Sequence, residues 1–220
     1  MNNKISIGIG IILIAIIFSF WYVSNNSNIS RTKDIDVFAI VNGEKITKEQ
    51  VEKTKAQLSL QQGVDINSFD AATQREITAQ IVDMLIEQTL IKQKVEAANI
   101  QVDEQQVDEQ IAQIIQQFED QEQFESALEL EGLSMEDFRT LVRDSLSVEA
   151  YLQQELNLSG VTATQEDIDQ MIAEFSQFEE FEQLIDEFNF EEYIIQQKQQ
   201  ELIDNFINQL RQGADIEIFI

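Results

Sequence analysis

The chain has 220 residues, and its 41 acidic residues against 14 basic ones give a formal net charge of −27. Phosphate groups require a basic surface, so we expect no nucleic acid partner. The sequence has no Cys and no His, which excludes disulfides, thiol catalysis, Ser-His catalysis and the usual zinc sites. It also lacks an EF-hand pattern and a glycine-rich phosphate loop, so we predict no metal, nucleotide or other cofactor.

Residues 5–23 form an uncharged apolar run behind Lys4. At about 1.5 Å per residue the run reaches roughly 28 Å, close to the ~30 Å hydrocarbon core of a bilayer. We therefore predict that residues 1–23 are a signal anchor, with the rest of the chain outside the cytoplasmic membrane; a cleaved secretory signal is the alternative. Residues 24–36 are polar and rich in Asn and Ser, which predicts a linker.

The next segment predicts a strand, a tight turn and a helix in close succession. Residues 36–41 are rich in β-forming side chains, and the Asn-Gly pair after them favours the positive φ angles of a tight turn. Thr47 and Gln50 match a capping box, in which each side chain satisfies a backbone amide of the first helical turn. We therefore predict a helix from residue 48 to about Leu60.

Apolar spacing predicts the remaining helices. Residues 71–98 are apolar over a wide arc, which is typical of a helix enclosed by its neighbours, so we expect this helix to be the centre of the core. The further predicted helices are about 103–118, 121–131, one capped by Ser134 and Asp137, one opened by Thr164 and Asp167, and about 191–211.

The last residues have the pattern of a strand. Ile216, Ile218 and Ile220 alternate with Glu217 and Phe219. An exposed lone strand is a template for aggregation, so this strand should have a partner, and the only other clear strand lies near residue 40. We therefore predict a mainly α protein in which the two ends of residues 37–220 pair in a small β-sheet.

Several segments, in this order, carry a family resemblance. They are "VNGEKITKEQVEK", "IVDMLIEQTLIKQKVEAANIQVDEQQVDEQI", "FESALELEGLSMEDFRTLVRDSLSVEAYLQQEL", "VTATQEDIDQMIAEF" and the closing "NQLRQGADIEIFI". Together they resemble the N-terminal chaperone region of SurA/PrsA-type exported foldases, over roughly residues 37–175 and 193–220. The resemblance implies a multi-helix SurA N-terminal-like domain over residues 37–220. It also implies an ATP-independent chaperone that holds unfolded or partly folded exported proteins outside the cytoplasmic membrane.

Many members of this family insert a parvulin-type prolyl isomerase domain before the last long helix. Here that interval is "SQFEEFEQLIDEFNFEEY", far short of the roughly 100 residues that a further domain needs. The resemblance therefore implies no isomerase domain, and we expect no enzyme. A prolyl isomerase with an unfamiliar site is the alternative.

The same interval supplies the candidate binding residues. An apolar stripe at helical spacing runs among Glu and Asp residues, and it consists of Phe175, Phe178, Phe181, Leu184, Ile185 and Phe188. One interpretation is that the stripe packs in the core. The other is an apolar groove with an acidic rim that binds client segments, since aromatic rings provide large contact areas. A third possibility is a structural module whose stripes contact one fixed partner or another copy of the chain.

The negative charge is concentrated in one part of the sequence. Residues 101–192 contain 26 acidic residues and only two basic ones, Arg139 and Arg143. We expect this part to attract basic chains, and more weakly as salt rises. A solvated acidic surface without a binding role is the alternative interpretation.

Overall fold

The computed structural model describes residues 37–176 and 188–220, which form a mainly α-helical fold with one small sheet. The predicted anchor at 1–23 and linker at 24–36 lie outside these residues. No helix in the described part is long and apolar enough to cross a membrane. The strands are β1 (Val37–Val41), β2 (Glu44–Thr47) and β3 (Ile216–Ile218); the helices are α1 (Lys48–Gln62), α2 (Ala71–Ala98), α3 (Glu104–Ile115), α4 (Gln121–Leu130), α5 (Met135–Leu156), α6 (Gln165–Phe175) and α7 (Phe190–Gln212).

The described residues divide into two compact units. The first unit contains the residues before Tyr151 together with Leu210–Ile220, and the second unit contains those within Tyr151–Gln209. Short 3₁₀ turns at Ile66–Ser68 and Leu158–Gly160 complete the regular structure.

The sheet joins the two ends of the described chain, as predicted. Its strand order is β2-β1-β3, and both pairs are antiparallel. In the pair of β1 and β3, Ile40 lies opposite Glu217. The pairing continues beyond this point on both sides, because the Asn42 N–H donates to the Asp215 carbonyl at 2.7 Å and the Phe219 N–H donates to the Phe38 carbonyl at 2.8 Å.

The Asn-Gly pair forms a hairpin, of which we predicted only the first strand and the turn. Asn42 and Gly43 have φ angles of 51° and 88°, as expected for this turn. The chain then returns as β2 before the helix begins, whereas we expected the turn to lead directly to the helix. The returning strand has four residues, of which only Ile46 is apolar and fully buried, so the alternation was too short to recognise.

The core of the first unit lies between α2 and the sheet. On the sheet side, Ala39, Val41 and Ile46 are fully buried. The one fully buried polar side chain of α2, Thr89, donates its hydroxyl to the Leu85 carbonyl at 2.8 Å, so it is not left unsatisfied. The prediction of a central core helix is confirmed; the α2 residues of this cluster are Ile81, Val82, Leu85, Ile86 and Leu90.

Helices α3 and α5 pack through apolar and charged contacts. Their apolar contact is a buried cluster that includes Val107 and Val142. Above it, the Glu104 carboxylate accepts hydrogen bonds from Arg143 Nε at 2.7 Å and from Arg139 Nη2 at 2.8 Å. These two bonds, that of Arg143 first, lower the pKa of Glu104 to about 2. Both basic residues of the acidic stretch therefore fix this helix pair.

Several predicted helix ends differ from the structure. Helix α3 ends at Ile115, although the apolar spacing predicted that it continues to 118. Phe118 still contributes to the apolar contacts, because its ring packs edge-to-face on Phe124 at 5.4 Å, and Phe124 packs on Phe138 at 5.2 Å. The first helix extends to Gln62 rather than Leu60, and the helices predicted at 121–131 and 191–211 differ from the structure by one residue at one or both ends. Helix α2 has the predicted bounds, 71–98.

Candidate functional site

Polar bonds from α7 fix the second unit. Lys198 Nζ donates to Asp167 Oδ2 at 2.5 Å, which joins α7 to α6. Gln199 Nε2 donates to the Leu158 carbonyl at 2.9 Å. The bond from Lys198, together with those from the N–H and hydroxyl of Thr164, lowers the pKa of Asp167 to about 2. The carboxylate therefore stays charged and keeps both its cap and its ion pair across the neutral range.

Helix α6 has an apolar face that the fold does not cover completely. Ile168, Met171, Ile172 and Phe175 lie on one side of the helix by their spacing. Each of these residues is half-buried, and α6 contains no fully buried residue. Helix α2 in the first unit, by contrast, buries eight of its residues. Part of the apolar face of α6 is therefore accessible to solvent.

Three aromatic rings cluster at the beginning of α7, and we call Phe188, Phe190 and Tyr193 the aromatic cluster. The Phe188 ring centroid lies 5.0 Å from that of Phe190 and 5.4 Å from that of Tyr193, both in edge-to-face geometry. Phe190 is 7% exposed, whereas Phe188 is 39% exposed. The buried ring of Phe190 thus supports an accessible ring of Phe188.

Acidic and polar groups surround the first turn of α7. Asn189 Oδ1 accepts from the Glu192 N–H at 3.1 Å, and Asn189 Nδ2 donates to Glu192 Oε2 at 3.0 Å, so Asn189 caps the helix. A concavity of about 330 Å³ lies along this surface. It is lined by Asn189, Glu191, Glu192, Ile195, Gln196 and Gln199.

The structure describes two of the six predicted binding residues. Phe175 is the last residue of α6 and is half-buried, and Phe188 belongs to the aromatic cluster. Phe178, Phe181, Leu184 and Ile185 lie outside the described residues, so the binding role of the stripe stays a prediction.

Sequence reasoning missed Phe190 and Tyr193 as neighbours of Phe188. The final helix was predicted to begin at Glu191, which placed Phe190 in a loop and left Tyr193 out of the stripe. The helix begins at Phe190 instead. The short interval between Phe188, Phe190 and Tyr193 was the available indication.

This surface presents groups that make noncovalent contacts. Aromatic and aliphatic groups are accessible beside carboxylates and amides, which suits the binding of apolar segments that carry few negative charges. No group of three or more potential metal ligands occurs within residues 37–176 and 188–220.

Comparison with known proteins supports this assignment of the fold. The family model described as the SurA-like N-terminal domain matches residues 1–152. The chain belongs to this family. The fold is also similar to that of a solved structure from Campylobacter jejuni. The description of that structure names the virulence factor PEB4 and the periplasmic protein Cj1289 as two structurally related SurA-like chaperones. The alignment has 12% identity and a TM-score of 0.52, and it covers 84% of this chain and 99% of the other.

No curated protein sequence matches this SurA-like chain. The descriptions of the family and of the solved structure name no prolyl isomerase. In the structure, only residues 176–189 separate α6 from α7, which is far fewer than a domain of about 100 residues requires. The interval in which the family resemblance implies an isomerase domain is therefore too short in this chain to form one.

Proposed function

We propose that this protein is an ATP-independent chaperone that holds unfolded or partly folded exported proteins. The observation that carries the proposal is the accessible apolar surface of the second unit, formed by the α6 face and by Phe188 of the aromatic cluster. A globular domain normally buries such a face, and accessible aromatic side chains such as Phe188 are common in binding surfaces. Membership of the SurA-like family supports the same role.

The proposed mechanism is binding through several weak contacts. Each accessible ring offers apolar area at a small cost in conformational entropy, and the acidic side chains beside the rings disfavour acidic segments. Micromolar affinity, about 8 kcal/mol, is enough to hold a client and to release it without ATP. Phe175 and Phe188 are the described residues to which we assign client contacts. We extend the same role to Phe178, Phe181, Leu184 and Ile185 on the basis of their spacing.

We further propose that residues 5–23 anchor the chaperone in the cytoplasmic membrane, with residues 37–220 on the extracytoplasmic side. The length and lack of charge of this run support the proposal. Fractionation of cells that express the full chain tests it: the protein should stay in the membrane fraction after a high-salt wash, and added protease should degrade it in cells whose outer layers have been removed. Recovery of a shortened protein from the medium would indicate a cleaved signal instead.

The chaperone activity is tested with the full chain in lipid nanodiscs. A chemically denatured enzyme is diluted into buffer, and light scattering records its aggregation. Near-stoichiometric amounts of the protein should slow aggregation, while empty nanodiscs should not. An unchanged scattering curve would contradict the proposed function.

One substitution and its matched control test whether the aromatic cluster binds clients. Phe188→Ser removes an accessible ring from the second unit, and we expect client binding to weaken about fivefold, which corresponds to ~1 kcal/mol for a ring that is half-buried by the client. Leu130→Ser is the matched control, because Leu130 is an apolar residue of the first unit that is 87% exposed. Equal loss of activity in the two variants would contradict the role of the aromatic cluster.

Crosslinking in the native envelope distinguishes holding from assembly. A chaperone should crosslink to many unfolded exported proteins. A structural module would yield one partner at constant stoichiometry, and that result would favour this second function. Catalysis is tested by a proline-peptide assay, in which we expect no acceleration above background.

A further inference from the structure

The second feature suited to binding is the edge of the sheet in the first unit. Strand β3 pairs with β1 on one side, and no further strand pairs with it within the described residues. The hydrogen bonds of Asp215 and Phe219 to residues of β1, with Glu217 opposite Ile40 between them, follow the alternation of an antiparallel ladder. The backbone groups of residues 215, 217 and 219 therefore point toward β1.

The same alternation determines which backbone groups of β3 point away from the sheet. The N–H and C=O groups of Ile216 and Ile218 point away from β1, because backbone groups alternate in direction along a strand. Each residue presents one donor and one acceptor, so the edge offers up to four hydrogen bonds to an added strand. Such bonds form irrespective of the side chains of the partner, and they are the basis of recognition by strand addition.

The side chains at this edge do not protect it. Ile218, Phe219 and Ile220 are 49%, 51% and 57% exposed. Natural edge strands commonly carry Lys, Pro or a bulge that prevents further pairing. Residues 214–220 contain neither Lys nor Pro, and the register of β3 with β1 has no bulge.

Charge decides which partner fits. Asp215 and Glu217 provide negative charge at the edge, and the nearest cation of the last helix, Arg211, is already paired with Asp83 and Glu87. Two copies of this chain would bring two net charges of −27 together, which disfavours pairing between copies. An extended segment with basic residues has the complementary charge.

We propose that β3 is a second binding site, at which an extended apolar segment of another protein, flanked by basic residues, adds as a further strand of the sheet. The identity of the partner as an unfolded client rests on the proposed function. The site itself does not, because it lies in the first unit and acts through backbone hydrogen bonds rather than through aromatic rings.

Two synthetic peptides with identical side chains test the role of the backbone. Both have alternating Val and Thr flanked by Lys. The open peptide is N-methylated on alternate residues, which blocks one edge, prevents self-association and leaves the other edge free to pair. The blocked peptide is methylated on both edges. Fluorescence anisotropy with the full chain in nanodiscs should show binding of the open peptide and at least about tenfold weaker binding of the blocked one. Equal binding of the two would overturn the proposal.

A substitution in β3 tests whether the peptide binds at this edge of the sheet. Ile218→Pro removes an N–H that points outward and leaves the bonds to β1 in place, and Pro is tolerated on edge strands for this reason. We expect about tenfold weaker binding of the open peptide. Ile218→Thr is the control, because it keeps the N–H and a β-branched side chain, and it should bind within about twofold of the unchanged protein. Undiminished binding by Ile218→Pro would overturn the proposal; should this variant misfold, the comparison of the two peptides still decides.

Three further measurements test the charge preference of the site, the identity of its occupant and its independence from the chaperone function. A version of the open peptide flanked by Glu should bind more weakly at low salt, and equal binding would overturn the charge preference. Analytical ultracentrifugation that finds a dimer, which Ile218→Pro dissociates, would overturn the proposal in favour of a second copy as the occupant. Aggregation suppression is measured in parallel: if it persists while the open peptide fails to bind, the edge site is refuted and the chaperone function stands, and the reverse result refutes the function alone.

Discussion

Asp144 on α5 is a buried carboxyl whose charged form is poorly stabilised by hydrogen bonds. Its burial predicts a specific pH dependence of the stability of the protein. The residue is 9% exposed, and its Oδ2 atom has no hydrogen-bond partner in the described part of the chain. Burial raises the pKa of Asp144 from its ordinary value of 3.8 to about 7. Arg143 and Lys92 oppose the increase, while Glu96 adds to it. The carboxyl is therefore mostly neutral in mild acid and charged above neutrality.

The sign of the effect follows from proton binding. Between pH 3.8 and about 7, the folded state binds a proton at Asp144 that the unfolded state has released. The free energy of unfolding therefore falls as pH rises through this window, and it levels off above it. If the whole difference between the two pKa values acted on stability, the free energy of unfolding would fall by ~4 kcal/mol across this window. Partial access of water to the carboxyl lowers the expected fall to about 2 kcal/mol. About 1 kcal/mol of the loss should occur between pH 5 and 8.

The variant Asp144→Asn removes the charge and keeps the size of the side chain. We expect its free energy of unfolding to be about 1 kcal/mol less dependent on pH between 5 and 8 than that of the unchanged protein, and the variant to be the more stable of the two at pH 8. The measurement is urea unfolding of the full chain in nanodiscs, followed by helical circular dichroism at several pH values.

The control removes a carboxyl from the same helix without changing a buried group. Glu149 is exposed on α5, so Glu149→Gln should leave the pH dependence unchanged. The comparison also removes the contribution of the large net charge, because both variants lose one carboxylate. Parallel curves for the unchanged protein and Asp144→Asn would refute the argument that burial of this carboxyl is costly.

Three further substitutions test the fold by the same unfolding measurement. Glu104→Gln should destabilise the protein at pH 7, because it removes the carboxylate that accepts the bonds of Arg143 and Arg139. The difference in stability between the variant and the unchanged protein should disappear as pH falls from 4.5 to about 2, where the carboxylate of Glu104 becomes protonated. Leu85→Ala creates a cavity in the core and should cost ~2–5 kcal/mol, whereas Leu60→Ala, at a position that is 75% exposed, should cost less than ~0.5 kcal/mol. Thr47→Ala removes the helix cap and should cost about 1 kcal/mol, whereas Thr47→Ser, which keeps the hydroxyl, should restore most of it.

Local interactions explain why much of the fold could be predicted. The capping box of Thr47 and Gln50 depends only on residues three apart, and both of its bonds are present. Asn42 and Gly43 adopt positive φ because their own backbone chemistry permits it. The pairing of the two chain ends was predicted by a different argument, namely that an apolar strand needs a partner and only one was available.

The features that were missed depend on contacts between distant segments. Strand β2 has a single apolar residue, so its extended conformation comes from pairing with β1 rather than from its own pattern. Phe118 continues the apolar spacing of α3 but lies outside the helix, because its ring packs on Phe124. Asp144 carries no mark in the sequence of being buried, since its burial depends on which side of α5 faces the rest of the first unit.

The accessibility of the candidate binding surface also could not be predicted from the sequence. Helices α2 and α6 both have apolar positions at helical spacing, yet α2 buries eight residues and α6 buries none. Periodicity specifies which face of a helix is apolar, but it does not specify whether another element covers that face. A protein with uncovered apolar faces tends to associate with itself, and a net charge of −27 opposes this by repulsion between copies. On the proposed function, this repulsion keeps identical chains apart, while the accessible apolar face remains available to client segments that carry few negative charges.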